Sequence, residues 1–186
     1  MKNVLFVLSF IVLFGCKEDE NTSAVYLQLI SNEWKEDRLI LADGTEIPLG
    51  SKRKETRSIE SITCSNDLVL EVDYDIAYIT NFNHYSFRKD DTFLSQNNSF
   101  LEVLDVDQST CDALQYFTVE ANTVLTGEWS LNEAQGIILI KGYNTIDYAS
   151  YFDDVFTEVE YSITYEFKSN ELHLGLDGLT YVLIKK

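Results

Sequence analysis

From residue 26 to the C-terminus, apolar residues recur at every second position more than at helical spacing, and Tyr, Phe, Val, Ile and Thr dominate the runs. Period two places such residues on one face of a pleated strand, so the chain has to build sheets with a buried side. The C-terminal segment is the clearest case. Leu172, Leu174 and Leu176 alternate with His173 and Gly175, Asp177-Gly178 provides a turn, and Tyr181 and Leu183 resume the alternation. Gly and Asn supply positive φ and Asp caps a bend through its own side chain, so Asp43-Gly44 and Ser169-Asn170 mark further turns. The pattern predicts strands over Glu33–Leu41, Asp67–Tyr74, Ala77–Phe82, His84–Lys89, Asn98–Val106, Tyr116–Ala121, Thr123–Asn132, Gly136–Lys141, Glu158–Lys168, Glu171–Leu176 and Leu179–Lys185. Ala24–Ser31 and Tyr148–Phe156 are the candidates for short helices, the first as a lead-in packed over one end of a barrel. Short strands at regular spacing, with no βαβ alternation, imply an antiparallel barrel or sandwich. Closure into a barrel of about eight to ten strands removes aggregation-prone edges, and about eight strands leave an interior that is filled or holds one small ligand.

The 186 residues suit one domain, and a hydrophobic fraction of 45% is enough for a packed core. With 14 Lys+Arg against 31 Asp+Glu, the formal charge is −17. A nucleic-acid site needs clustered cations to neutralise phosphates, and the densest basic run is only Lys52-Arg53-Lys54 with Arg57, so no nucleic-acid partner is expected.

The N-terminus carries an address. Lys2 precedes an apolar stretch, Val4 to Phe14, interrupted only by Ser9; this is signal-peptide length and too short to span a bilayer. It ends in Leu13-Phe14-Gly15-Cys16, which resembles the bacterial lipobox although Phe14 stands where a small residue is usual. The expected division is a signal peptide over residues 1–15, an acidic tether over 16–25 beginning at a lipidated Cys16, and a barrel domain over 26–186. The other reading of the stretch, a buried N-terminal strand, leaves the abrupt change to Lys17-Glu18-Asp19-Glu20 unexplained. An acidic protein cannot hold a membrane through a basic face, so the membrane is a partner only through acyl chains on Cys16. In an exported protein the two remaining cysteines, Cys64 and Cys111, read as a disulfide. Such a bond would remove denatured-state entropy worth roughly 4 kcal/mol. A zinc site would need more ligands than His84 and His173 provide, so no metal is expected.

Five pieces together resemble the lipocalin-like lipoproteins of Bacteroidetes: Asn32-Glu33-Trp34 before the first strand, Cys64-Ser65-Asn66-Asp67, Cys111-Asp112, Gly127-Glu128-Trp129, and the ending Asn170-Glu171-Leu172 through Lys186. The resemblance implies an all-β, antiparallel, up-and-down lipocalin-like β-barrel with one or two short helices, and no catalytic residues. It also makes Lys17-Glu18-Asp19-Glu20 similar to the export signal that places such lipoproteins on the outer face of the outer membrane; an ordinary solvated tether holding the domain on the periplasmic side is the alternative. Asn32 stands where a Gly is commoner, and the charged insert Ile47–Ser61 replaces a short loop.

Both tryptophans are expected to plug an end of the core with the indole N–H on a backbone carbonyl. Tyr143, Tyr148, Tyr151, Phe152 and Phe156 form the candidate binding mouth, since tyrosine offers an apolar face with a polar tip. Asp105-Val106-Asp107-Gln108-Ser109 begins like a calcium loop, but Thr110 and Tyr116 occupy the positions that need Gly and Glu. A looser calcium site on loop carboxylates such as Asp153 and Asp154 stays open beside chance adjacency in so acidic a chain. No nucleophile elbow, phosphate loop or metalloprotease helix is present, so neither an enzyme nor a cofactor is expected. The expected role is binding of a small apolar or amphipathic ligand; the alternatives are a solid interaction module and a carbohydrate-binding accessory protein using exposed aromatics.

Overall fold

The computed structural model describes residues 23–64, 68–149 and 153–186, and among these the chain forms one helix and ten strands. These are α1 (Ala24–Ile30), β1 (Glu33–Ile40), β2 (Glu46–Pro48), β3 (Lys52–Thr63), β4 (Val69–Phe87), β5 (Thr92–Leu104), β6 (Tyr116–Asn132), β7 (Ile137–Asp147), β8 (Val155–Lys168), β9 (Glu171–Leu176) and β10 (Leu179–Lys185). They form one antiparallel sheet in the order β2-β1-β10-β9-β8-β7-β6-β5-β4-β3. A second pairing of β1 with β4, Glu33 to Ser86, Trp34 to Tyr85 and Lys35 to His84, closes β1 and β4–β10 into an eight-stranded barrel. The fold is therefore an antiparallel up-and-down barrel of lipocalin-like type. Past the seam β1 and β4 separate; β2 continues the wall on Arg38–Ile40 and β3 on the first half of β4. The Gly50 N–H, donated to the Thr80 carbonyl at 2.9 Å, fastens the link between β2 and β3 to that wall.

Local chemistry explains much of this. Asp177 and Gly178 both take positive φ, 51° and 80°, the requirement of the two-residue hairpin whose twist matches that of its strands. Gly44 sits at φ +86°, and the Asp43 carboxylate accepts from the Thr45 N–H at 2.9 Å. The candidate helix at Ala24 forms, with the Ser23 hydroxyl capping the Tyr26 N–H at 3.0 Å. Three expectations differ. The insert after Ile47 is not a loop: its alternation of Arg53, Ser58, Ile59 and Glu60 suits a strand with both faces partly wet, and it becomes β2 and β3. Asp67–Tyr74, Ala77–Phe82 and His84–Lys89 merge into the single long β4, as Tyr116–Ala121 and Thr123–Asn132 merge into β6. Tyr148–Phe156 is not a helix in its described part, since Val155 and Phe156 open β8 and residues 153–154 are irregular.

One end of the barrel is sealed. Leu29 of α1, Trp34, Phe87, Trp129, Leu172 and Leu183 are buried there, and each such side chain contributes about 2 kcal/mol on leaving water. The Tyr26 ring stacks on Trp129 at 5.3 Å, and Trp129 meets Phe87 edge-on at 5.2 Å. The indole N–H of Trp34 donates to the Leu29 carbonyl at 3.3 Å and that of Trp129 to the Arg88 carbonyl at 3.1 Å. Both tryptophans thus plug the core as the sequence suggests, but they share one end.

On the outside, Arg38 ties three elements together through Asp37 (2.9 Å), Glu46 (3.2 Å) and Glu171 (3.0 Å). Glu171 also meets His173 at 2.9 Å. Hydrogen bonds from Arg38, and then from His173, hold the Glu171 carboxyl below the ordinary glutamate value of 4.5. At the tip beyond β3, Cys64 and Cys111 form a disulfide with Cα atoms 5.6 Å apart, packed beside a small cluster of Ile62, Val72 and Leu104. It fastens the β3–β4 hairpin to the β5–β6 connection.

Two outcomes follow. Replacing Cys64 and Cys111 together by Ser releases a loop with a sequence separation of 47, and should cost about 4 kcal/mol in denaturant unfolding while circular dichroism still reports a β fold. Because the Glu171 pKa is lowered on folding, its contribution is complete above pH 4.5 and is lost as pH falls through the folded value. Glu171→Gln should therefore lower stability at neutral pH and flatten its decline in acid, with the two unfolding curves converging at low pH.

Candidate ligand-binding cavity

Inward-facing residues follow the period-two rule along the strands, and interruptions in β1 and β4 decide what faces the interior. In β1 the pairing with β10 slips between Glu36 and Arg38, so Asp37 is an extra residue. Without that bulge, inward positions would run Trp34, Glu36, Arg38, Ile40; with it they run Trp34, Glu36, Leu39, Leu41, and Arg38 turns outward to its carboxylates. In β4 the register against β5 slips between Thr80 and Phe82. Inward positions therefore change from Tyr78 to Asn83 and Tyr85.

Above the sealed end the barrel encloses a cavity of about 950 Å³, open toward the end that carries the β1–β2 and β9–β10 turns. That volume lies at the upper end of the roughly 300–1,000 Å³ typical of small-molecule pockets. One wall is mostly apolar: Leu125 of β6, Ile140 of β7, Ile163 of β8, and Leu174 and Leu176 of β9, with Phe93 toward the floor, while the same strands also contribute Thr123, Asn144 and Tyr161. In the β6–β7 part of this wall Gly127 stands directly opposite Gly142. The two backbones approach so closely that a Cβ on Gly127 would strike the Lys141 carbonyl oxygen and lie 2.7 Å from the Gly142 Cα.

The facing wall is polar. Glu36 is buried at 4% exposure and Asn83 at 7%. The Asn83 amide donates to a Glu36 carboxylate oxygen at 2.8 Å and to the Tyr85 hydroxyl at 2.7 Å, while the Ser95 hydroxyl donates to the Asn83 carbonyl at 3.4 Å. Burial, and next the negative charge of Glu36, push the Tyr85 phenol well above its ordinary range, so it keeps its proton at physiological pH. Beside this group, Arg53 of β3 lies with its guanidinium 4.9 Å from the centre of the Tyr78 ring, and the Tyr78 hydroxyl accepts from Ser99 at 2.7 Å. Lys52 and Lys54 flank Arg53 at the rim but turn to the outer wall, where they pair with Glu102 and with Asp75 (3.1 Å).

Of the residues that sequence reasoning assigned to a binding mouth, Tyr143 and Phe156 lie outside the cavity. Tyr143 and Phe156 stack at 5.0 Å with an interplanar angle of 12°, on the outer face of β7 and β8, with Phe156 68% exposed. Tyr143 has the opposite parity to Ile140 and Asn144 on β7, and Phe156 to Tyr161 and Ile163 on β8, the residues that face the cavity. Tyr148 follows the end of β7, and Tyr151 and Phe152 lie outside the described residues, as does Cys16. Asp153 and Asp154 are exposed, and among the described residues no group of three or more His, Cys, Asp or Glu is placed to hold a metal ion. Glu36, Asn83, Tyr85 and Arg53 were missed. The spacing Trp34-x-Glu36 was the available signal, since a strand that buries Trp34 must turn Glu36 to the same side.

Comparison of the chain with protein-family models, with curated proteins and with solved structures gives no match. The cavity sets a mostly apolar wall opposite a hydrogen-bonding one, both bordering one interior.

Proposed function

We propose that this chain is a non-catalytic binding protein, lipid-anchored through Cys16 to the outer membrane and displayed at the cell surface, whose barrel holds one small amphipathic molecule. The observation that carries the binding role is the 950 Å³ interior with Leu125, Ile140, Ile163 and Leu174 on one side and Glu36, Asn83 and Tyr85 on the other. A guest with an apolar body and a polar group can meet both walls, whereas a purely apolar one would bring no polar group to the hydrogen-bonding wall. The anchoring role is supported by the apolar run ending in Leu13-Phe14-Gly15-Cys16, and surface display by Lys17-Glu18-Asp19-Glu20 after it. These features, with the motifs resembling lipocalin-like lipoproteins of Bacteroidetes, favour membership of that group. A second reading, carbohydrate binding, is favoured by one observation: the flat, exposed Tyr143–Phe156 stack on the outer wall.

The purified domain without its leader should bind a fluorescent amphipathic probe saturably and near one to one. Leu125→Trp, which fills the cavity from the apolar wall, should weaken binding at least about tenfold, and Tyr143→Ala with Phe156→Ala should change it less than about twofold. The reverse order would move the function to the outer wall. In bacteria fed labelled palmitate, the wild-type chain should take up label and Cys16→Ala should not; equal labelling of both would remove the anchor.

A further inference from the structure

The hydrogen-bonding groups that border the cavity are of two kinds, those committed within the protein and those left over. Asn83 is committed. Its amide donates to Glu36 at 2.8 Å and to the Tyr85 hydroxyl at 2.7 Å, and its carbonyl accepts from Ser95 at 3.4 Å. Both of its donors are spent in holding β1, β4 and β5 together. Asn97, Thr123 and Asn144 differ: all three line the cavity and are only partly buried. The Asn97 carbonyl accepts from Ser99, but among the described residues no partner takes its amide N–H groups, the Thr123 hydroxyl or either end of the Asn144 amide. The register brings these groups together. Asn97 of β5 stands directly opposite Thr123 of β6, and Asn144 of β7 stands opposite Leu125, diagonal to Thr123 on the same face. Directly opposed side chains have Cβ atoms about 5 Å apart, and diagonal ones about 7 Å. On each strand the polar residue lies on the mouthward side of the apolar one: Thr123 and Asn144 are farther than Leu125 and Ile140 from the buried Trp129 and Ile138, and Asn97 is farther than Phe93 along β5.

Resting on the amphiphile-binding reading above, we infer that Asn97, Thr123 and Asn144 form the subsite for the guest's head, which carries two or more polar atoms spread over about 5 Å and is held toward the mouth, with the hydrocarbon below it on Leu125, Ile140 and Ile163. A head with a single polar atom meets one of the three groups at a time and leaves the others to water. A head with several polar atoms spans them. Because a carboxamide and a hydroxyl each donate and accept, such a head gains a hydrogen bond at every group it reaches, and the number of those bonds is what the subsite reads.

The test holds the acyl chain constant and changes the head. Monooctanoylglycerol and methyl octanoate share an octanoyl ester, and only the first adds free hydroxyls; each, below its micelle-forming concentration, is used to displace the fluorescent amphipathic probe from the leaderless protein. The glycerol ester should bind at least about fivefold more tightly than the methyl ester. Thr123→Val exchanges the hydroxyl for a methyl of similar shape, and Asn144→Ala removes the amide; each should lower the ratio of the two affinities at least about twofold. Circular dichroism confirms that each variant is folded, and general damage would weaken both esters alike without moving their ratio. Equal binding of the two esters by the wild-type chain overturns the extended head. An unchanged ratio in either variant overturns the subsite, as does a larger fall in Tyr85→Phe, which would put the head on the committed network instead. If neither ester displaces the probe, the amphiphile-binding function itself falls.

Discussion

Three residue pairs close this barrel. Glu33, Trp34 and Lys35 meet Ser86, Tyr85 and His84, and without that seam these ends of β1 and β4 would be exposed edges of an open sheet. The seam is short because it lies at the sealed end, where Trp34 is fully buried and its N–H is fixed by the helix carbonyl of Leu29. Helix packing, indole burial and strand pairing therefore support one another at a single place. Beyond the seam the strands part, and the interior can widen into a cavity because β2 and β3 carry the wall onward.

The single extra residue in β1 divides the strand into two chemical halves. Up to Glu36 the inward side chains follow the parity of Trp34; after Asp37 they follow that of Leu39, and Arg38 is released to bind Glu46 and Glu171 outside. A regular strand would bring a second ion, Arg38, into the barrel and send Leu39 into water. The bulge thus separates an interior carboxylate held by Asn83 from an exterior cation held by three acids. The Gly127–Gly142 pair serves the opposite wall, where the absence of side chains lets β6 and β7 come together.

Much of the fold was legible because period-two burial and turn chemistry are local. The β9–β10 hairpin, with Asp177-Gly178 in positive φ, follows residue by residue from its alternation. Where the alternation was interrupted, inference failed. Breaks read after Tyr74 and at Asn83 made the single strand β4 look like three, and the charged residues of β3 concealed a strand whose Ile62 is buried. Aromatic richness drew attention to Tyr143 and Phe156, but composition does not report which side of a sheet a residue takes. The cavity residues come from strands distant in sequence, and Glu36 acquires meaning only when Asn83 and Tyr85 are folded against it.

The position of the helix has a directional consequence. The chain enters the described domain at Ser23, directly before α1, and α1 lies on the sealed end; the C-terminal Lys186 N–H is bound to Glu33 at that same end. With Cys16 as the anchor, the intervening residues reach at most about 25 Å when fully extended. Were the proposed anchor at Cys16 to hold, the sealed end would lie nearer the membrane like the base of a cup, the mouth would look away from it, and a guest would arrive from the surrounding medium.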